Sequence, residues 1–250
     1  MPGRVEQYLL DRIKAEGTIH VTLIDPEEVS VDQAMQIAIH SEASGTAAIM
    51  LGGSTFASQE HLDNVVKGIK GAVKLPVILF PNNITGLTRY ADAVLFMSLL
   101  NSIDPYFIMG AQILGAPLIR KYGIEAIPMG YIIVGEGGTA AVVGKAIPIP
   151  YNKPKIAAAH ALAANYLGMR FTYLEGGSGA TNPVPPEMIQ ITKKVTNGPL
   201  FVGGGIRTKE QAAIAAAAGA DVIVTGNVVE SEGSEQKVAN IIQGIKKAKK

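Results

Sequence analysis

Short apolar segments alternate with helix-length segments along the chain, and this alternation constrains the fold more than any other feature. Eight apolar runs have strand length, at residues 19–23, 47–51, 77–80, 93–97, 126–131, 171–174, 200–202 and 222–224. Most lack polar alternation, as expected of strands buried on both faces of a parallel sheet. Amphipathic segments that predict helices include 30–43, 59–72, 155–166, 186–195 and 209–218. The pattern predicts an α/β fold, first a (β/α)8 barrel and second a doubly wound open sheet.

The composition favours a single folded domain over residues 1–250. Of the 250 residues, 48% are hydrophobic and 17% are charged, which is ample apolar material for a core. The net charge of +1 gives no electrostatic case for binding nucleic acid. The absence of cysteine excludes disulfides, cysteine nucleophiles and thiolate metal sites. Because neither a secretory signal nor a membrane-spanning segment is visible, we expect a cytoplasmic protein.

Two connections depart from a regular barrel pattern. Residues 81–90 are too few for a normal crossover helix, and Asn82, Asn83 and Gly86 interrupt them. We therefore expect the third helix to be missing or replaced by an extended segment. Residues 135–154 are rich in glycine and proline and predict a long loop or a short hairpin after the fifth strand.

Glycine is concentrated after the predicted strands, where the active site of a barrel lies. A run of three glycines, Gly203–Gly205, follows the seventh strand, and Gly226 and Asn227 follow the eighth. Barrel phosphate sites are commonly built from these two loops, because glycine lets backbone N–H groups approach the anion. The pattern favours a phosphate site, with tight turns alone as the alternative. No P-loop motif is present.

Few charged residues follow the strands. Asp25 ends the first strand, where it could hold Mg²⁺ together with the Ser54 hydroxyl, since magnesium sites often use one or two protein carboxylates and substrate phosphates. The alternative is a turn residue before Pro26. The four histidines do not cluster in the sequence, and no HExxH motif exists, so a histidine–zinc site is not expected.

Glu175 and Tyr173 lie two residues apart at the end of the sixth strand, so their side chains share one face. Leu174 between them is expected to face the helices. A glutamate at the barrel mouth can bind a hydroxyl or accept its proton. The alternative is a structural glutamate that caps the turn at Ser178.

Apolar residues continue past the fourth strand, through residues 95–109, into what would be a solvent-facing loop. They predict either core packing of the next helix or an apolar groove that starts at the barrel mouth. A groove beside a phosphate site would suit an amphiphilic substrate.

Several stretches together resemble one known family. They are HVTLIDP (20–26), IMLGGST (49–55), VILFP (77–81), ADAVLFMSLLN (91–101), YLEGGSGA (173–180), PVP (183–185), VGGGIR (202–207) and VTGN (224–227). The sequence resembles the archaeal geranylgeranylglyceryl phosphate synthases and their bacterial relative, heptaprenylglyceryl phosphate synthase. The likeness covers about residues 9–242, and the FMSLLNS and YLEGGSGA stretches are its most specific parts.

The resemblance implies a modified barrel whose third helix is replaced by an extended segment. It also implies transfer of a geranylgeranyl group from geranylgeranyl diphosphate to the 3-hydroxyl of sn-glycerol 1-phosphate, with Mg²⁺ required. By matching motifs, Asp25 and Ser54 would bind the metal, and Glu175 with Tyr173 would be catalytic. The implied glycerol phosphate contacts are Tyr173, Leu174, Glu175, Gly176, Gly177, Ser178, Gly179, Gly204, Gly205, Gly226 and Asn227.

The resemblance further implies a homo-oligomer, a dimer or a dimer-based hexamer. Residues 138–144 lack the aromatic residue that some relatives place across a subunit contact, which speaks against the hexamer. Other functions remain open: a longer prenyl donor, as in the bacterial relative, a sugar-phosphate isomerase or aldolase, and a non-catalytic phosphate-binding barrel. Paired catalytic aspartates or a Schiff-base lysine are not evident at the predicted strand ends.

Overall fold

The computed structural model describes residues 2–53, 58–226 and 234–248. Eight parallel strands pair in chain order and close into a barrel, β1 pairing with β8. The strands are β1 (Ile19–Ile24), β2 (Ala48–Leu51), β3 (Val77–Leu79), β4 (Ala93–Leu99), β5 (Glu125–Ile133), β6 (Phe171–Glu175), β7 (Leu200–Gly203) and β8 (Val222–Thr225). The predicted barrel and all eight predicted strands are confirmed. β4 and β5 extend two residues further towards the barrel mouth than predicted.

Helices surround the barrel and follow most strands. They are α1 (Arg4–Glu16), α2 (Val31–Ser44), α3 (Gln59–Ala72), α4 (Ala111–Tyr122), α5 (Gly138–Val143), α6 (Pro154–Tyr166), α7 (Pro186–Lys193), α8 (Lys209–Ala217) and α9 (Ser234–Lys247). Ser30, Ser58 and Thr208 cap α2, α3 and α8, each accepting a hydrogen bond from a backbone N–H of the first turn. These caps satisfy donors that have no partner inside the helix and so define where each helix begins.

The connection between β3 and β4 contains no α-helix. It holds a single 3-10 turn, Ile84–Gly86, in an otherwise irregular segment. The prediction that an extended segment replaces the third helix is therefore confirmed. The irregular segment therefore covers part of the outer surface of the barrel, where its Leu87 packs with Val94 of β4 and Ile119 of α4.

The connection after β5 differs from its prediction. Residues 138–143 form the six-residue helix α5, so the expected hairpin is wrong. The segment 139–143, with two alanines, can form a helical turn, while the prolines that argued against a helix come later, at Pro148 and Pro150. Gly137 starts α5 from a left-handed conformation with φ of 69°.

Alternate strand residues form two cores. One set points into the barrel and includes Val21, Met50, Met129, Phe171 and Phe201. The other set packs between the strands and the surrounding helices. Burial on both faces explains why the strand sequences are continuously apolar.

Helix α1 closes the amino-terminal end of the barrel. Leu9 and Val5 belong to the interior core, and the carboxylate of Glu125, at the start of β5, accepts hydrogen bonds from the backbone N–H groups of Val5 and Glu6 at 2.7 and 2.8 Å. With this end closed, ligands reach the barrel from the carboxyl ends of the strands. No helix in the described part of the chain has the length and apolar character needed to span a membrane.

Candidate active site

A cavity of about 540 Å³ lies at the carboxyl ends of the strands and brings most of the candidate residues together. Its described lining includes Asp25, Tyr173, Glu175, Ser178, Gly179, Gly204, Gly205 and Gly226. These residues come from β1, β6, β7 and β8 and from the loops that follow them, so the barrel joins segments that are distant in sequence. Ser54 and Asn227 lie outside the described residues.

Three candidates from the sixth strand and its loop do not line the cavity. The Leu174 side chain is fully buried in the core between strands and helices, as strand alternation predicts. Gly176 and Gly177 support the neighbouring loops, since the Gly176 N–H donates to Gly203 and its carbonyl accepts from Gly137. These residues shape the site from behind its surface.

Glu175 is a buried carboxylate at the end of β6, with only 7% of its surface exposed. Its Oε1 accepts a 2.6 Å hydrogen bond from the Gly177 backbone N–H, and its carboxylate also accepts hydrogen bonds from the hydroxyls of Tyr173 and Tyr131. Burial raises the pKa of Glu175, while these hydrogen bonds oppose the rise. The turn-capping alternative is therefore present in the structure, but the same carboxylate also lines the cavity.

Tyr173 and Tyr131 form part of an aromatic layer across the barrel. Their ring centroids are 5.3 Å apart, and Phe80 stacks on Tyr173 at 5.5 Å. Burial and the nearby Glu175 charge raise the pKa of both tyrosines, so each stays a protonated donor. Tyr131 is the last residue of the predicted strand 126–131, and its register with Tyr173 across β5 and β6 is the signal that identifies it.

The glycine loops after β6 and β7 lie against each other. Gly204 has φ of 87°, and a Cβ placed on it would lie 2.6 Å from the Gly177 backbone nitrogen. Only glycine fits such a conformation at such a close approach. Ser178, Gly179 and Gly205 complete the surface that this contact presents to the cavity.

Asp25 lies at the opposite side of the barrel mouth, at the end of β1. Its Oδ1 accepts a 3.0 Å hydrogen bond from the Glu27 N–H, so it also makes the predicted turn contact. Burial raises the pKa of Asp25, as do the charges of Glu27 and Glu28. Glu28 lines the same cavity. No group of three or more His, Asp or Glu residues that could hold a metal occurs within the described ranges.

An apolar groove continues from the polar mouth. The extended segment after β3 supplies Ile84 and Leu87, and α4 supplies Gly115 and Ile119. Phe107 belongs to a π-helical turn, Tyr106–Gly110, that leads into α4. The groove occupies the side of the barrel where the third helix is missing, so the apolar run of residues 95–109 forms both core and groove.

The histidines take no part in the cavity. His20 is buried on β1, where its ring nitrogens contact the hydroxyls of Thr46 and Thr225 at 2.5 and 2.8 Å. Burial lowers the pKa of His20 to about 3, so the ring is neutral. His61 contacts backbone carbonyls near the start of α2.

Known proteins are similar in sequence to nearly the whole length of this chain. Residues 11–245 match the PcrB family. The geranylgeranylglyceryl phosphate synthase of Thermococcus gammatolerans is 56% identical over 243 residues, 97% of this chain and 96% of that protein. The protein of the same name from Methanothermobacter thermautotrophicus is 54% identical and covers 97% of this chain and 98% of its own.

A solved structure is similar over the full barrel. It is (S)-3-O-geranylgeranylglyceryl phosphate synthase from Thermoplasma acidophilum in complex with its substrate sn-glycerol-1-phosphate. The two chains share 38% identity with a TM-score of 0.94, covering 99% of this chain and 100% of that one. Because the family match and the similarity to these relatives extend over nearly all of its length, this chain belongs to the PcrB family.

Proposed function

We propose that this protein is a prenyltransferase that joins a geranylgeranyl group to the 3-hydroxyl of sn-glycerol 1-phosphate, with geranylgeranyl diphosphate as donor. The observation that carries the proposal is the single cavity that joins a glycine-lined polar mouth to an apolar groove. A small phosphorylated alcohol suits the first part and a long hydrocarbon chain suits the second. The names of the relatives and the ligand of the Thermoplasma acidophilum protein support the same assignment.

The polar end suits the glycerol phosphate. The glycine loops after β6 and β7 present backbone to the cavity without intervening side chains, which lets N–H groups approach a phosphate. Glu175 would accept a hydrogen bond from a glycerol hydroxyl at the centre of the mouth. This arrangement fixes the hydroxyl before the reaction, so less orientational freedom is lost at the transition state.

In the proposed reaction, the bond between C1 of the prenyl chain and the diphosphate oxygen breaks, and the glycerol 3-oxygen bonds to C1. The hydroxyl proton passes to the Glu175 carboxylate. Its raised pKa makes this carboxylate a stronger proton acceptor than an exposed glutamate. Tyr131 and Tyr173 would stabilise the carboxylate before transfer and hold it in one orientation.

Asp25 is the residue proposed to bind Mg²⁺, with Ser54 as its sequence-based partner. The fit rests on the half-buried Asp25 carboxylate, which lines the cavity together with Glu28. Bringing a diphosphate into this acidic environment requires positive charge. Bound Mg²⁺ would neutralise the diphosphate leaving group.

The competing aldolase function has no support in the cavity. No lysine lies among the described residues that line it, so a Schiff-base nucleophile is missing there. A prenyl donor longer than twenty carbons remains within the same chemistry, and the donor length is an outcome of the experiment below.

The deciding experiment incubates the protein with sn-glycerol 1-phosphate, Mg²⁺ and radiolabelled prenyl diphosphates of graded length. We expect ether product to be greatest with the twenty-carbon donor and to disappear when EDTA is added. Glu175→Gln is expected to lower kcat by about 10²–10⁴-fold, because it removes the proton acceptor. Asp25→Asn should lower activity and shift the Mg²⁺ requirement to higher concentration.

The outcomes separate the alternatives. A maximum with longer donors would assign the bacterial type of activity. Failure to form an ether with any donor would refute the prenyltransferase proposal.

We also propose that the protein forms a homo-oligomer, as its resemblance to the family implied. Two large apolar side chains, Ile103 and Ile147, are exposed close to each other on the surface. Their segments are held together by backbone hydrogen bonds: the Ile103 N–H donates to the Lys145 carbonyl, and the Ile147 N–H donates to the Asn101 carbonyl. Light scattering after size-exclusion chromatography would distinguish a monomer, a dimer and a hexamer.

A further inference from the structure

The charge of the cavity lining does not match the charge of its proposed substrates. Carboxylates are contributed by Asp25, Glu28 and Glu175, whereas Arg207 is the only cationic side chain among the described lining residues. Both proposed substrates are anions. A basic side chain beside the glycine loops would therefore strongly affect which anion binds there and the position at which it binds.

Arg207 bridges the two glycine loops. Its Nη2 donates to the Ala180 carbonyl at 2.7 Å, at the end of the loop after β6. Its Nη1 lies 3.5 Å from the Gly205 carbonyl, in the loop after β7. The Arg207 backbone N–H is itself held by the Gln211 side chain at 2.8 Å. The guanidinium thus has a defined position next to both loops.

These two contacts use only part of the hydrogen-bonding capacity of the side chain. A guanidinium carries five N–H donors in a planar fork. The remaining three have no acceptor among the described residues, and Arg207 is exposed at the edge of the cavity. A phosphate group matches such a fork, because two of its oxygens can accept parallel hydrogen bonds.

We propose that Arg207 is a phosphate-binding and positioning residue: it clamps the two glycine loops together and directs its remaining donors to the phosphate of the acceptor substrate. The backbone N–H groups of the loops define the shape of the phosphate site. Arg207 adds the positive charge that the other described lining residues lack. The identity of the acceptor rests on the proposed function, whereas the phosphate site itself does not.

The test compares Arg207→Gln and Arg207→Lys with the wild-type protein by isothermal titration calorimetry. The probes are inorganic phosphate and sn-glycerol 1-phosphate, each at low and high salt. Arg207→Gln is expected to raise both Kd values by about 10–100-fold, the effect of losing hydrogen bonds to a charged group. Arg207→Lys keeps the charge and should recover part of the loss at low salt only. Arg120→Gln, an exposed arginine outside the cavity, is the matched control and should bind as wild type.

Steady-state kinetics separate binding from a purely structural clamp. For Arg207→Gln we expect a raised KM for sn-glycerol 1-phosphate, while kcat and the KM for the prenyl donor stay within about threefold of wild type. Equal losses in both KM values and kcat would indicate collapse of the loops and would overturn the charge role. Unchanged phosphate affinity in Arg207→Gln would overturn the proposal outright.

The two proposals fail differently. If wild-type protein binds inorganic phosphate but not sn-glycerol 1-phosphate, the proposed function is refuted. The effect of Arg207→Gln on inorganic phosphate then still decides the role of Arg207.

Discussion

Two buried titratable side chains of the barrel, Glu175 on β6 and His20 on β1, have different environments. Glu175 has tyrosine hydroxyls and a backbone N–H around its carboxylate, so ionisation is compensated and the group remains usable at the cavity. His20 has only threonine hydroxyls around its ring, so nothing compensates a positive charge. One residue suits proton transfer, whereas the other contributes to stability as a neutral hydrogen-bonding group.

His20 should make the stability of the protein fall as the pH is lowered. Its pKa is about 3 when folded, below the value of about 6.5 expected when unfolded, so the unfolded chain binds the proton more tightly. The stabilisation is complete above pH about 6.5 and is lost as the pH falls towards 3. Between pH 7 and 5, urea unfolding should show that wild type loses about 2 kcal/mol more than His20→Gln.

His160→Gln, which changes a histidine on α6, is the control for this measurement and should follow the wild-type pH dependence. Other titrating groups are shared by all three proteins, so their contributions cancel in the comparison. Equal pH dependence of wild type and His20→Gln would contradict the neutral, buried state of His20.

At the residue scale, the sequence located the ends of the strands well but not the contacts between them. Asp25 and Glu175 could be selected because each directly follows an apolar run. The roles of Tyr131 and Arg207 could not, because each depends on the distance between segments that only the closed barrel brings together.

At the element scale, the irregular β3–β4 connection has the largest effect on the site. A helix in this position would pack over β3 and β4 and fill the space lined by Leu87, Val94 and Ile119. Its absence leaves an apolar channel on the outer side of the sheet. The backbone there remains compact through a single 3-10 turn, Ile84–Gly86, in which the Thr85 N–H donates to the Asn83 side chain.

Substitution of Gly115 should narrow this groove. A Cβ at Gly115 would lie 3.5 Å from Leu87 Cδ1, so the larger side chain of Gly115→Leu must extend into the space between α4 and the extended segment. We expect kcat/KM for the twenty-carbon donor to fall about tenfold or more, and activity with ten-carbon donors to be retained. Product analysis with donors of both lengths measures the change.

Gly71→Leu is the matched control, because Gly71 lies on α3 with no atom within 4 Å of its added Cβ. It should leave the donor preference unchanged. Equal losses with short and long donors in Gly115→Leu would argue against prenyl binding in this groove.

The elements differ in how well the sequence predicts them. Strands buried on both faces have a continuous apolar pattern, and the three polar caps at Ser30, Ser58 and Thr208 mark helix starts; both signals are local. Helix α5 has only six residues, too few for an amphipathic pattern. Its position depends on contacts with Gly177 and Ser178 in the neighbouring loop after β6, which no local pattern encodes.

At the scale of the whole molecule, the two ends of the barrel have separate roles. The amino-terminal end is closed by α1, where the buried Glu6 carboxylate accepts two hydrogen bonds of 2.6 Å from the Arg170 guanidinium before β6. The carboxyl end carries the cavity. The closed end and the pairing of β1 with β8 both depend on residues far apart in the sequence. The alternation of strands and helices predicts them only if the strands close into a barrel.

Arg170→Ala should therefore destabilise the protein without changing its chemistry. The substitution leaves the Glu6 carboxylate, 1% exposed, without its ion-pair partner, and we expect a loss of about 2 kcal/mol in the free energy of unfolding. This corresponds to a decrease in Tm of about 4–8 °C. Thermal unfolding and an activity assay at 25 °C together test the prediction.

Arg4→Ala provides the comparison, because Arg4 lies on α1, the helix that carries Glu6. The Arg4 side chain is 85% exposed and pairs with Asp92 at 3.2 Å, an arrangement that contributes about 0–1 kcal/mol. It should change Tm little. A loss of activity in folded Arg170→Ala at 25 °C would show that the two ends of the barrel are energetically coupled.

The missing helix also has an evolutionary consequence. The groove is built by the β3–β4 connection and α4, whereas the polar mouth is built by the loops after β6, β7 and β8. Mutations that lengthen or shorten the hydrocarbon channel can therefore be confined to residues 80–122, and the segments proposed to recognise the small polar substrate stay unchanged. Lineages with different lipid chain lengths can therefore differ in the residues of the groove while keeping the residues of the polar mouth unchanged.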